Sequence, residues 1–192
     1  MENSMLIMEQ YLGSERRSKV RAVRTFKPVC IEAEGQTLVA LMRDISTTGA
    51  GFETETGLKV GQELRYRWGD EPFRKAEVIW VDGGRFGVAN HEVLAPKDLF
   101  SKRYRSVRVP ISAPTSIFVD GNRVEAETVN FSQKGVCALV SDQIRNGALA
   151  TLKIGKRYFE GATAKWGEND RIGFAFSNGM PIHEMSRLLT GR

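Results

Sequence analysis

With 192 residues, 41% of them hydrophobic and 27% charged, the chain has the make-up of a folded globular protein and excludes a disordered, fibrous or membrane-spanning one. The net charge of +5 is unevenly spread: residues 15–27 hold Arg16, Arg17, Lys19, Arg21, Arg24 and Lys27 against Glu15 alone, and residues 102–108 hold Lys102, Arg103, Arg105 and Arg108 with no acid. Two basic bursts in an otherwise acidic chain imply localised anion sites rather than a uniformly basic surface.

Residues 1–14 open with Met5-Leu6-Ile7-Met8, stopped by Glu9 and too short for a signal peptide or an anchor; Met5, Met8 and Leu12 predict a short helix or a loose tail. Short apolar runs then follow at Pro28–Ala33, Leu38–Arg43, Gly49–Thr54, Glu63–Trp68, Lys75–Val81 and Arg85–Asn90, punctuated by Gly, Asp, Asn or Pro, and they predict strands. Leu64, Tyr66 and Trp68 alternate along one face of a hairpin that turns at Gly69-Asp70-Glu71-Pro72. Val93–Arg103, with Pro96, predicts a linker or a short helix. Ala148–Ile154, Gly155-Lys156 and Arg157–Trp166 give a second hairpin, and Pro181–Leu189 ends the chain with a helical stripe of Ile182, Met185, Leu188 and Leu189.

The two halves repeat one another. The offset is 86 at Asp44/Asn130, Trp80/Trp166 and Arg85/Arg171, and 87 at Arg21/Arg108. Each half is therefore a module in its own right. The reading is a residue 1–14 tail, a first domain over 15–95 and a second over 96–192. The fold class is all-β: two small antiparallel barrels in tandem with short peripheral helices, one at the C-terminus.

Cys30 and Cys137 sit among apolar neighbours and read as buried structural thiols in a reducing cytoplasm. His91 and His183 stand apart from any ligand cluster, so no metal is expected, and no Ser/His/Asp or Cys/His pattern points to catalysis. Trp68, Trp80 and Trp166 read as core or rim packing.

The chemistry concentrates at two motifs in the first half. Arg17-Ser18-Lys19-Val20-Arg21 supplies guanidinium forks suited to phosphate oxygens and to the guanine O6/N7 edge. Asp44-Ile45-Ser46-Thr47-Thr48-Gly49 supplies a carboxylate able to accept from guanine N1–H and N2–H, a hydroxyl, and a glycine expected either to turn with positive φ or to let a ligand approach closely.

R-x-x-x-R followed at this distance by [D/N]-x-S-x-x-G resembles the PilZ domain. The resemblance implies a split-barrel fold, binding of cyclic di-GMP as a ligand, no cofactor and no catalysis. It assigns Arg17 and Arg21, with Arg16 as an extra contact, to phosphate and guanine, and Asp44, Ser46 and Gly49 to the barrel-surface half of the site. In the second half Asn130-Phe131-Ser132-Gln133-Lys134-Gly135 keeps the turn motif, but Tyr104 stands where the first arginine belongs. Arg103, Arg108, Asn130, Ser132 and Gly135 are the candidate second site, with Arg103 and Arg105 flanking the gap, and the second copy reads as degenerate, regulatory or a partner surface. The leading reading is a receptor in which the ligand orders the Arg17–Arg21 segment and so alters its contacts with the neighbouring barrel or a protein effector, with no membrane insertion; the sequence selects neither the process regulated nor an oligomeric state. The alternative is a PilZ-like adaptor that acts by protein contacts alone. Nucleic acid fits less well, because only Phe26 and Tyr104 interleave aromatics with the basic runs.

Overall fold

The structure, a computed structural model, describes residues 22–54, 57–99 and 105–190. The first half forms β1 (Val23–Ala33), β2 (Gln36–Ile45), β3 (Gly49–Glu53), β4 (Glu63–Trp68), β5 (Arg74–Asp82) and β6 (Arg85–Asn90), then a short helix α1 (Pro96–Leu99). The second forms β7 (Val109–Val119), β8 (Asn122–Ser132), β9 (Gly135–Val140), β10 (Leu149–Ile154), β11 (Arg157–Glu168) and β12 (Arg171–Ala175), then α2 (Ile182–Thr190). Each set of six closes into an antiparallel barrel, the first in the order β1-β2-β3-β6-β5-β4 and the second in the equivalent order. Closure leaves no free sheet edge.

Alternation builds each barrel. Along β4, Leu64, Tyr66 and Trp68 are buried while Glu63 and Arg65 face water. Phe52 stacks on Phe86 at 5.1 Å between centroids and meets Tyr66 edge-on at 5.0 Å, filling the first core. Tyr66 donates its hydroxyl to Asn90 Oδ1 at 2.8 Å, and burial pushes its pKa up to about 12. The β1–β2 and β7–β8 hairpins turn through Glu34-Gly35 (φ 49° and 74°) and Asp120-Gly121 (φ 50° and 79°), two left-handed residues each, whose twist matches the flanking strands. The first strand starts at Val23, five residues before the apolar run suggested, because a bulge between Arg24 and Lys27 carries the charged stretch along β2.

The barrels pack on one another through the outer face of β4–β1–β2. Cys30 and Val39, cross-strand neighbours on that face, join the apolar core of the second half, as does Phe73, held between the guanidiniums of Arg65 and Arg67 at 4.7 and 4.8 Å. Arg67 donates to the Arg108 carbonyl oxygen at 2.7 Å, and Arg105 pairs with Asp70 at 2.9 Å. Helix α2 buries Met185 completely and lies against β2, with the Ser186 hydroxyl 3.5 Å from the Val39 carbonyl oxygen.

Burial raises the Cys30 thiol from 9.0 to about 11, with Arg67 opposing the rise. The unfolded chain therefore gives up this proton first, so the thiol's stabilising contribution is complete below pH 9 and is lost as pH rises through 11. Denaturant titrations at pH 8 and pH 11 should show wild type losing on the order of 2 kcal/mol more than Cys30→Ala. An equal loss in both would remove Cys30 as the cause.

Candidate functional site

Asp44, Ser46 and Gly49 come together at the β2–β3 turn. The Ser46 hydroxyl accepts from the amides of Thr48 (3.3 Å) and Gly49 (3.1 Å) and lies 3.2 Å from the Gly49 carbonyl oxygen, while the Ser46 amide donates to that carbonyl at 2.8 Å. The serine is thus the staple of the turn. Gly49 is not in the left-handed region; it is glycine because a Cβ there would run into the Val88 carbonyl oxygen of β6. That corrects the positive-φ expectation: the constraint is close strand packing. Gly49→Ala should cost about 2 kcal/mol by overpacking, read as a lower thermal midpoint, and an unchanged midpoint would contradict this account.

Beside the turn runs a row of cross-strand partners on the outer barrel wall: Arg24 on β1, Asp44 on β2, Gly51 on β3, Gly87 on β6 and Trp80 on β5. Ala50, Phe52, Phe86 and Val88 point inward, so Gly51 and Gly87 face out. Bulges at Met42/Asp44 and Val78/Trp80 aim the two flanking side chains over this seam. A Cβ on Gly51 would sit 2.8 Å from Asp44 Oδ2, and one on Gly87 would strike the indole of Trp80. The two glycines thus let a carboxylate and a half-exposed indole lie flat on adjacent strands. One end of the seam is bounded by Glu53, which lies 3.5 Å from both Arg43 and Arg85; no described side chain pairs with Asp44. An acceptor pair next to an aromatic plate suits a planar ring with N–H donors on its edge.

The PilZ domain matches this sequence twice, over residues 15–97 and 102–191. The chain belongs to the PilZ domain family. Solved structures similar to it include Borreliella burgdorferi PlzA in complex with c-di-GMP (13% identity over 94% of this chain and 96% of that one, TM-score 0.38). Others are the Bacillus subtilis inhibitor of motility MotI/DgrA (15%, 88% and 95%, TM-score 0.40) and Escherichia coli YcgR in complex with c-di-GMP (16%, 86% and 81%, TM-score 0.32). No curated protein matches the chain.

The second PilZ domain has the same turn and a different seam. Ser132 lies 3.4 Å from the Gly135 carbonyl oxygen and accepts from the Lys134 amide at 3.3 Å, and a Cβ on Gly135 would run into Phe174. Its row reads Pro110, Asn130, Cys137, Gly173 and Trp166. Trp166 lies over Gly173 as Trp80 lies over Gly87, but Cys137 fills the place of Gly51 and Leu139 that of Glu53. Both cysteines are buried, as expected, yet Cys137 faces the seam rather than the core: Val136 and Ala138 on either side point inward, and Arg171 and Arg108 partly offset the rise that burial gives its thiol.

Arg16, Arg17, Arg21, Arg103 and Tyr104 lie outside the described residues. The chain that follows Arg21 begins β1 at Val23, opposite Ile45, with Arg24 opposite Asp44. Arg105, expected to flank the second motif, is committed to Asp70 of the first domain, and the Arg108 backbone to Arg67. Sequence reasoning passed over Gly51, Gly87 and the outward role of Trp80. The signal was present in the repeat of Arg85-Phe86-Gly87 as Arg171-Ile172-Gly173.

Proposed function

We propose that the chain is a non-catalytic receptor for cyclic di-GMP, with the dinucleotide seated on the first domain over the Asp44–Gly51–Gly87–Trp80 seam. The observation that supports it most is the placing of a carboxylate, unpaired among the described residues, with a flat indole beside the PilZ turn, at the foot of the segment that bears both arginines. Asp44 accepts from guanine N1–H and N2–H, the Trp80 face takes the ring, and Arg17 and Arg21, with Arg16, neutralise the phosphates. Ser46 and Gly49 hold the turn that aims Asp44. Ordering the arginine segment changes the surface offered to the neighbouring domain or to a protein effector.

Isothermal titration with cyclic di-GMP, with GTP as the control, tests this reading. Saturable heat with the dinucleotide alone supports it. Silence by calorimetry and by a second method would overturn it in favour of a ligand-free adaptor.

A further inference from the structure

The seam accounts for one guanine, and cyclic di-GMP carries two. Its two sugars and two phosphates close a single ring, so the second base must land within a short reach of the first. Along the outer wall of β1, between Arg24 at the seam and Cys30 at the domain junction, Phe26 stands out from the bulge with 65% of its surface exposed. It lies one strand across and two residues along from Asp44, about 8 Å away. The guanidinium of Arg43 lies over its ring, 4.8 Å from the centroid. Glu53 holds one terminal nitrogen of Arg43 at 3.5 Å and is itself held by Arg85 on its other side. Among the described residues no second acid reaches Arg43, so its remaining donors stay available beside the ring. The second domain keeps the bulge, between Pro110 and Ala113, but carries Ser112, Val129 and Leu139 where the first has Phe26, Arg43 and Glu53. The duplicated fold therefore does not require this ring, cation and acid, which belong to the first domain alone.

We propose that Phe26 and Arg43 hold the second guanine of the dinucleotide and select it over adenine, a proposal that rests on the seating of the first guanine at the seam. Guanine presents O6 and N7 side by side as two acceptors, and a guanidinium forks onto both. A base paired to Arg43 in the guanidinium plane covers the part of the Phe26 ring that Arg43 leaves open, so stacking and pairing reinforce one another. Adenine in the same place sets its N6 amino group, a donor, against the donors of Arg43 and keeps N7 alone as a partner. Glu53 acts through Arg43 as a positioning residue, fixing the fork over the ring. Arg24, exposed on β1 between Asp44 and Phe26, adds positive charge where the connecting phosphates pass. Two consecutive residues of β2 thus divide the reading of the ligand: Asp44 takes the donor edge of one base, and Arg43 the acceptor edge of the other.

Calorimetric titration of the full chain with cyclic di-GMP, with the mixed cyclic GMP–AMP and with cyclic di-AMP reads the two bases separately, because the mixed ligand can seat its guanine at the seam and leave adenine for Phe26 and Arg43. Wild type should bind cyclic di-GMP at least tenfold more tightly than the mixed ligand. Arg43→Val, which copies the second domain, should weaken cyclic di-GMP about tenfold and bring the two ligands within about twofold of each other. Phe26→Ser, likewise a copy, should weaken both ligands about tenfold and alike, since stacking is blind to the base, and Phe26→Trp should keep wild-type affinity. Thermal midpoints should hold in all three variants, because both side chains lie on the outer wall. An undiminished preference in Arg43→Val, or wild-type affinity in Phe26→Ser, would overturn the proposal while leaving the seam intact, which a loss of binding in Asp44→Ala would show in the same series. A wild type that binds cyclic di-GMP and the mixed ligand equally would overturn it too. A wild type silent to all three would overturn both this proposal and the receptor reading beneath it.

Discussion

Asp44→Ala should weaken cyclic di-GMP binding about a hundredfold, since two hydrogen bonds to a charged acceptor contribute roughly 3 kcal/mol together and each 1.4 kcal/mol is tenfold. Arg17→Ala should do at least as much by removing a phosphate fork. Neither change should shift the thermal transition. Asp44 sits on the outer wall with no described side chain paired to it, and the turn it precedes is held by Ser46. That separation distinguishes it from Ser46→Ala and Gly49→Ala, which act through the fold. Titration beside a thermal melt reads both quantities, and wild-type affinity in Asp44→Ala would place the ligand elsewhere on the barrel.

The turn motif and the repeat were legible because each is local: a serine that staples a turn and a hydrophobic alternation leave their marks within a few residues. Both hairpins and the apolar stripe of α2 followed from the same short-range patterns, whereas Val93–Arg103 read as either a linker or a short helix and the structure forms a helix at Pro96–Leu99. The seam was hidden because it is assembled from β3 and β6, strands 36 residues apart at Gly51 and Gly87 that become neighbours only when the barrel closes. Bulges hid the rest. Trp80 reads as one more alternating residue of β5 until the extra residue at Ile79 turns it outward. The beginning of β1 was obscured for a related reason, since Arg24 and Lys27 interrupt the apolar run while the backbone continues pairing.

The same repeat offset carries information about the second domain that the cysteine spacing alone conceals. Cys137 is not the repeat equivalent of Cys30; its equivalent is Gly51, 86 residues earlier. A thiol at that place occupies the space over which Asp44 lies in the first domain, so Asn130 is denied the same pose even though its residue type fits the family motif. With the dinucleotide seated on the seam as proposed, the turn motif alone is insufficient: the site needs the glycine on the neighbouring strand as well. Under that proposal the second copy departs from the first at two places, Tyr104 in the sequence before its first strand and Cys137 on the seam.

Restoring both should recreate a site. Tyr104→Arg/Cys137→Gly is expected to double the amount of cyclic di-GMP bound per chain, with each single change giving less than the pair, because an arginine gains little over a blocked seam and an open seam lacks its phosphate partner. The two terms are coupled through one ligand and so are not additive. Adding Leu139→Glu, after Glu53, supplies the acid that in the first domain lies between Arg43 and Arg85 and lets Arg171 be held at the seam's edge. Cys137→Gly removes a buried thiol and its packing, at a cost of about 1 kcal/mol in line with other small core deletions, so a modestly lower thermal midpoint is expected alongside the gain. Stoichiometry held at the wild-type value in the folded triple variant would show that Cys137 and Tyr104 do not account for the loss of the second site. Arg105, drawn away to Asp70, would then be the residue to release, through Asp70→Asn.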